Sequence, residues 1–153
     1  MKTKLMSGFP DGKDNMNDNC IFCKLANGVF PTATVYEDDD FRAILDIEPA
    51  AKGHVLLIPK AHMANLLEAD DATLAKALPL AKRIANAVKE ALSCDGVNIL
   101  QNNCEAAWQS VFHLHIHIIP RYENDGVIIP WEKNSYADGE AAEYAAKIAA
   151  CIK

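Results

Sequence analysis

One stretch constrains this chain more than any other: Val111-Phe112-His113-Leu114-His115-Ile116-His117-Ile118-Ile119-Pro120-Arg121. Three histidines alternate with apolar residues. On a β-strand, side chains alternate between faces. The pattern therefore predicts a strand with His113, His115 and His117 on one face and Leu114, Ile116 and Ile118 on the other. Same-face neighbours on a strand sit about 7 Å apart, close enough to line one small site. Burying unpaired polar groups is costly, so three imidazoles in a row on a core strand need a chemical reason.

The chain contains five histidines, and the remaining two, His54 and His62, bracket the apolar run Val55 to Pro59. That run reads as a buried strand stopped by its proline. If it lies beside the histidine strand, all five imidazoles converge and none is left over on the surface. The loop before the triplet, Asn102 to Ser110, places Asn102, Gln109 and Ser110 beside the imidazoles. Uncharged donors next to a histidine cluster suit a phosphate or carbonyl oxygen.

Cys20 and Cys23 form a Cys-x-x-Cys. The spacing fits half of a zinc site, a redox pair, or two small buried residues on one helical face. A redox pair expects a strand just before it, and nothing ahead of Cys20 reads as one. Zinc would need further ligands, and the histidine cluster is their one source. Cys94, Cys104 and Cys151 stand alone, and five cysteines with no paired framework predict a reducing, cytoplasmic setting.

The other elements frame these residues. Residues 1–19 are polar and read as a flexible leader, and 20–153 as a single domain. Asn19 and Gly28 predict the two ends of a short first helix. Val35–Glu37 and Phe41–Asp46 read as a hairpin around Asp38-Asp39-Asp40. Residues 71–92 carry helical periodicity behind Asp70 and Asp71, with Pro79 expected to kink or split the helix. Gly96–Gln101 reads as another strand, and the Ala-rich residues 139–152 as a terminal helix. Together these predict an α+β fold with an antiparallel sheet. The net charge of −6 argues against a nucleic-acid or anionic-membrane binder, while leaving room for a small anion held by local donors. No apolar run approaches the ~20 residues of a membrane span, and Met1 to Leu5 lead into no apolar signal segment.

His113-Leu114-His115-Ile116-His117-Ile118-Ile119 resembles the His-φ-His-φ-His-φ-φ motif of the histidine triad (HIT) nucleotide hydrolases and transferases. The likeness runs from about Cys20 to Arg121. It takes in Ile21-Phe22-Cys23-Lys24, Leu45-Asp46-Ile47-Glu48-Pro49, His54 to His62 and Gln109-Ser110-Val111-Phe112, and is nearest to the small bacterial Hint-like branch. The resemblance implies a five-stranded antiparallel sheet with two main helices, paired into a homodimer with a continuous ten-stranded sheet. It implies a purine nucleotide substrate whose α-phosphate bond is cleaved through a nucleotidyl-histidine intermediate, releasing a nucleoside monophosphate.

On that resemblance His115 is the nucleophile, His117 contacts the α-phosphate and leaving group, and Ser110 and Gln109 bind the phosphate and bridging atom. Asn102 and His54 make further phosphate contacts, and Asp46 holds the ribose hydroxyls. Ile21, Phe22, Phe41, Ile44 and Ile47 line the base and ribose pocket. Cys20, Cys23, His62 and His113 bind a structural zinc, and no magnesium requirement is expected. Cys104 and Trp108 depart from the family, where glycine is frequent; Trp108 would narrow the leaving-group pocket, and Trp131 would reach a partner subunit. Nucleoside phosphoramidates or related adenylates are the expected substrates. Dinucleoside polyphosphates are the alternative, as is a non-catalytic nucleotide sensor. The transferase branches usually end the triplet in glutamine; here it ends in His117, which favours hydrolysis.

Overall fold

The computed structural model describes residues 16–129 and 132–153. Most of the expected leader lies outside the described residues, as does Trp131. The elements run α1 (Ile21–Ala26), β1 (Thr34–Glu37), β2 (Phe41–Leu45), β3 (Val55–Pro59), α2 (Asp71–Leu92), β4 (Gly96–Leu100), a short 3₁₀ turn (Glu105–Ala107), β5 (Ile116–Arg121) and α3 (Glu140–Ala149). The five strands form one antiparallel sheet in the order β1-β2-β3-β5-β4.

Strand alternation sorts the core into two layers. Phe41, Ala43, Val55, Leu57 and Ile118 face α2, where Ala77, Leu80, Ala81, Ile84 and Val88 recur at helical spacing and bury the same stripe. Ile44, Leu56 and Ile58 point the other way and pack under Ala26, Phe22 and Leu25 of α1. His117 is paired between Leu56 and Leu100, so it emerges on the α1 face. The short helix and the histidines thus share one side of the sheet, and α2 seals the other.

Asp70 caps α2 as its sequence predicts, its carboxylate accepting the Thr73 N–H at 2.8 Å. Pro79 does not split the helix, which runs unbroken from Asp71 to Leu92. The first helix is capped by Cys20 rather than by Asn19: the Cys20 sulfur accepts the Cys23 N–H. The cap is therefore made by a residue of the Cys-x-x-Cys itself.

The main correction concerns the triplet. β5 begins only at Ile116, so of the three histidines His117 alone lies on the strand. The β3–β5 ladder covers just Val55–Leu57 against Ile116–Ile118. Further along β3, Pro59 has no N–H to offer a partner. The chain turns aside there: Leu114 N–H donates to Met63 O at 2.7 Å and His113 N–H to Val111 O at 2.9 Å. His113, Leu114 and His115 are all buried instead of alternating in and out.

Cys104 and Trp108 both take positive φ, 69° and 68°. Cys104, at ψ 160°, sits in a region that is almost glycine-only. The glycine that the resemblance leads one to expect at these positions would suit the backbone that this loop adopts. Replacing Cys104 with glycine relieves the strain and is expected to raise stability by about 1 kcal/mol; an unchanged or lower denaturant midpoint would refute this.

Candidate functional site

Two connected sites lie on the α1 face. The first gathers Cys20, Cys23, His62 and His113, whose ligand atoms all lie within 4.8 Å of one another. His113 Nε2 lies 2.8 Å from Pro59 O. A carbonyl can only accept, so Nε2 carries the proton and Nδ1 keeps its lone pair. That Nδ1 lies 3.4 Å from both sulfurs, and His62 Nδ1 is 3.3 Å from Cys23 Sγ. Nitrogen and sulfur ligands on one tetrahedral zinc-sized ion stand about 3.5 Å apart, given bonds of ~2.0 and ~2.3 Å. The donor set and spacing therefore fit a metal ion with four protein ligands. Backbone N–H groups of Asn17 and Cys23 point at the Cys23 and Cys20 sulfurs, as suits thiolates. Without a cation, burial pushes the Cys23 thiol up to about 11 and holds His113 down at about 4.

The second site is a cleft of about 700 Å³ between α1, the loop after β2 and the end of the histidine segment. His115 and His117 form its floor, with ring centroids 4.9 Å apart. His115 Nδ1 donates to the His113 carbonyl at 2.7 Å, which leaves its Nε2 lone pair free. Phe22 stands edge-on to His115 at 4.8 Å and fixes the ring plane. Burial lowers the basicity of both rings, and His117 is pushed to about 4, with His115 and His54 adding to the effect. Near neutral pH the cleft thus holds uncharged imidazoles, and the buried His115 ring is held in one orientation with a free Nε2 lone pair.

Most of the sequence-predicted residues meet here. Ile21, Phe22, Ile44, Asp46, Ile47, Ser110, His115 and His117 all line the cleft. Four do not. Phe41 is buried under α2 on the opposite sheet face, because it lies an odd number of strand positions from Ile44. Gln109 is 2% exposed, its amide bonded to Cys104 N–H, Ala64 O and Val111 O; it braces the loop. Asn102 is half-buried outside the cleft wall, and its backbone carbonyl accepts from the Gln101 side-chain amide. His54 is buried behind His117 and bonded to it at 2.9 Å. Trp108 is exposed and outside the lining, so it does not narrow the cleft. Sequence reasoning missed the wall formed by Pro31, Thr32 and Ala33 together with Leu56. Leu56 belongs to a continuous apolar run, which carries no sign of which face is which.

A family model described as the HIT domain matches residues 27–124. "Protein hit" of Bacillus subtilis is 44% identical over 119 residues, 77% of this chain and 82% of that protein. The adenosine 5'-monophosphoramidase of Saccharomyces cerevisiae is 45% identical over 113 residues, 73% of this chain and 69% of that one. Among solved structures, a Streptococcus mutans protein matches with a TM-score of 0.86 at 38% identity, over 92% of this chain and 89% of that one. A zinc-bound histidine triad family protein from Mycobacterium smegmatis matches with a TM-score of 0.69 at 37% identity, over 86% and 97%.

If the four-residue cluster ties α1 to the histidine segment through a metal, metal analysis will find about one ion per chain. Cys23→Ser will then lose it and lower the melting midpoint by about 10 °C or more. Metal-free protein whose melting is indifferent to chelator would rule the site out.

Proposed function

The chain belongs to the HIT-domain family, and from that premise we propose that it hydrolyses nucleoside phosphoramidates or related adenylates at the α-phosphorus. The observation that carries this reading is the pinned tautomer of His115. Its Nδ1–H is held by the His113 carbonyl, so its Nε2 lone pair is available in the cleft. In this reading Nε2 attacks phosphorus, the bond to the leaving group breaks, and the leaving group departs with the bonding pair. Water then attacks the nucleotidyl-histidine, restores the imidazole and releases the monophosphate. Splitting the displacement in two lowers each barrier.

The cleft supplies the rest by position. The Ser110 hydroxyl and His117 are the donors to the phosphoryl oxygens. Asp46, with one carboxylate oxygen taken by the Glu48 N–H, keeps the other for ribose hydroxyls. Ile21, Phe22, Ile44 and Ile47 form the apolar walls suited to a base. We further propose that the cluster of two cysteines and two histidines holds zinc. When bound, that ion supplies a fixed cross-link; His113 then serves as its ligand and as the anchor of His115. The monophosphoramidase name of the yeast relative favours a phosphoramidate over a dinucleoside polyphosphate.

Pairing into a dimer is proposed through β4. Of the two sheet edges, β1 carries an irregular register between Thr34 and Tyr36, which blunts an edge. β4 pairs regularly along its whole length with β5 and presents Ile99, 44% exposed. Light scattering will give twice the chain mass; an active monomer would end the ten-stranded proposal.

His115→Ala is expected to lower turnover of adenosine phosphoramidate by a factor on the order of 10⁴ or more, while adenosine monophosphate still binds in calorimetry. Turnover near that of the parent protein would remove His115 from the nucleophile's role. The acid limb of activity should also lie well under the ordinary histidine value of about 6.5, because His117 stays neutral down to about 4. Over that window the unfolded chain binds protons that the folded cleft refuses. Stability therefore falls as pH falls from about 6.5 towards 4, which melting curves will show.

A further inference from the structure

His54 stands where the resemblance expects a phosphate contact, yet it is 5% exposed and does not line the cleft. Its two nitrogens are both committed. The Ala50 backbone N–H donates to Nδ1 at 3.1 Å. A backbone N–H cannot accept, so Nδ1 carries no proton and Nε2 does. Nε2 lies 2.9 Å from His117 Nδ1, so His54 donates and His117 accepts. His117 must then carry its own proton on Nε2, the nitrogen left for the cleft. The titratable groups near this pair are Asp46 and His115. Asp46 Oδ2 is 3.7 Å from His54 Nδ1, too far for a hydrogen bond, so it does not compete with Ala50 for that nitrogen.

We propose that His54 is a positioning residue: the chain from Ala50 N–H through His54 to His117 fixes His117 as a neutral ring with its Nε2–H facing the bound phosphate. This rests on the functional reading above, in which phosphate occupies the cleft. Each link runs in one direction. Adding a proton to His117 Nδ1 would set two N–H groups against each other. Adding one to His54 Nδ1 would do the same against Ala50. The pair therefore stays uncharged without needing a carboxylate partner. His115 and His117 become a matched couple: His115 offers a lone pair at Nε2, and His117 a proton. The difference comes from what each Nδ1 meets, a carbonyl oxygen in one case and an N–H in the other. A donor fixed before substrate arrives needs no reorganisation during the reaction.

The test uses nitrogen-labelled full-length protein and long-range proton–nitrogen correlation spectra of the imidazoles. The parent protein should show His117 with a bare Nδ1 and a protonated Nε2, unchanged as pH is lowered to about 5. In His54→Phe, which keeps a ring but offers no N–H, the His117 signals should move to a tautomer mixture and titrate at higher pH. For that variant, kcat on adenosine phosphoramidate should fall about tenfold or more, with KM within about threefold. His54→Gln places an amide N–H near the position of Nε2 and should recover most of both the spectrum and kcat. A His117 proton on Nδ1 in the parent protein would overturn the proposal. So would unaltered His117 signals in a folded His54→Phe protein. If the parent protein hydrolyses no phosphoramidate, the functional reading fails, while the spectra still decide the tautomer.

Discussion

The buried imidazole of His113 is the interaction on which the other parts of the structure depend. It is fully buried, a placement that is costly for an unpaired polar ring. Every polar atom it has is engaged. Nε2 donates to the last carbonyl of β3, Nδ1 faces two sulfurs of the α1 entry, and its backbone oxygen takes the His115 proton. One residue therefore joins the N-terminal turn, the end of a central strand and the floor of the cleft. Displacing it would leave the His115 tautomer unspecified, although the two sites share no side chain.

The electrostatics of the cleft follow from burial more than from charge. The described lining holds Asp46 and Glu48 but no lysine or arginine, and the chain as a whole carries −6. A phosphate entering here cannot rely on a compensating cation from these walls. In the proposed function the neutral dipoles of the lining take that part: the Ser110 hydroxyl and a protonated imidazole nitrogen. Such donors are weak in water and strong where water is excluded. That fits a site where the imidazoles are kept from protonating, and where Phe22 covers His115 edge-on.

Much of this was legible in the sequence, for reasons that can be separated. The five-histidine census was sound because histidine is scarce and each one had to be accounted for. The four metal-ligating candidates came from the family resemblance, since Cys-x-x-Cys alone fits a redox pair or two buried residues equally; the fold brings their ligand atoms within 4.8 Å of one another. Phe41 was misplaced for want of a parity argument available from the start: on one strand Phe41 and Ile44 cannot share a face. Gln109 and His54 were misread for another reason. A sequence reports donor types, not whether the backbone has already claimed them, and here Ala64, Cys104 and Ala50 had done so. The regular strand predicted over all three histidines failed because hydrophobic alternation carries no information about where a ladder partner runs out. Pro59 marks that point.

The break in the ladder is also what makes the three histidines unequal. Had residues 113–117 stayed on a strand, their rings would stand about 7 Å apart on a single face, each with similar surroundings. Instead the His115 and His117 rings are 4.9 Å apart, while the His113 ring lies 5.1 Å from that of His62, turned towards the sulfurs. Leaving the strand releases the carbonyl of His113 from sheet pairing, and that carbonyl becomes the acceptor for His115. His117 remains inside the sheet, where its backbone is fixed by neighbours on both sides and its ring must find a side-chain partner, His54. The irregular segment produces the lone pair and the regular one produces the donor, so the chemistry of the motif depends on the sheet ending between its second and third histidines.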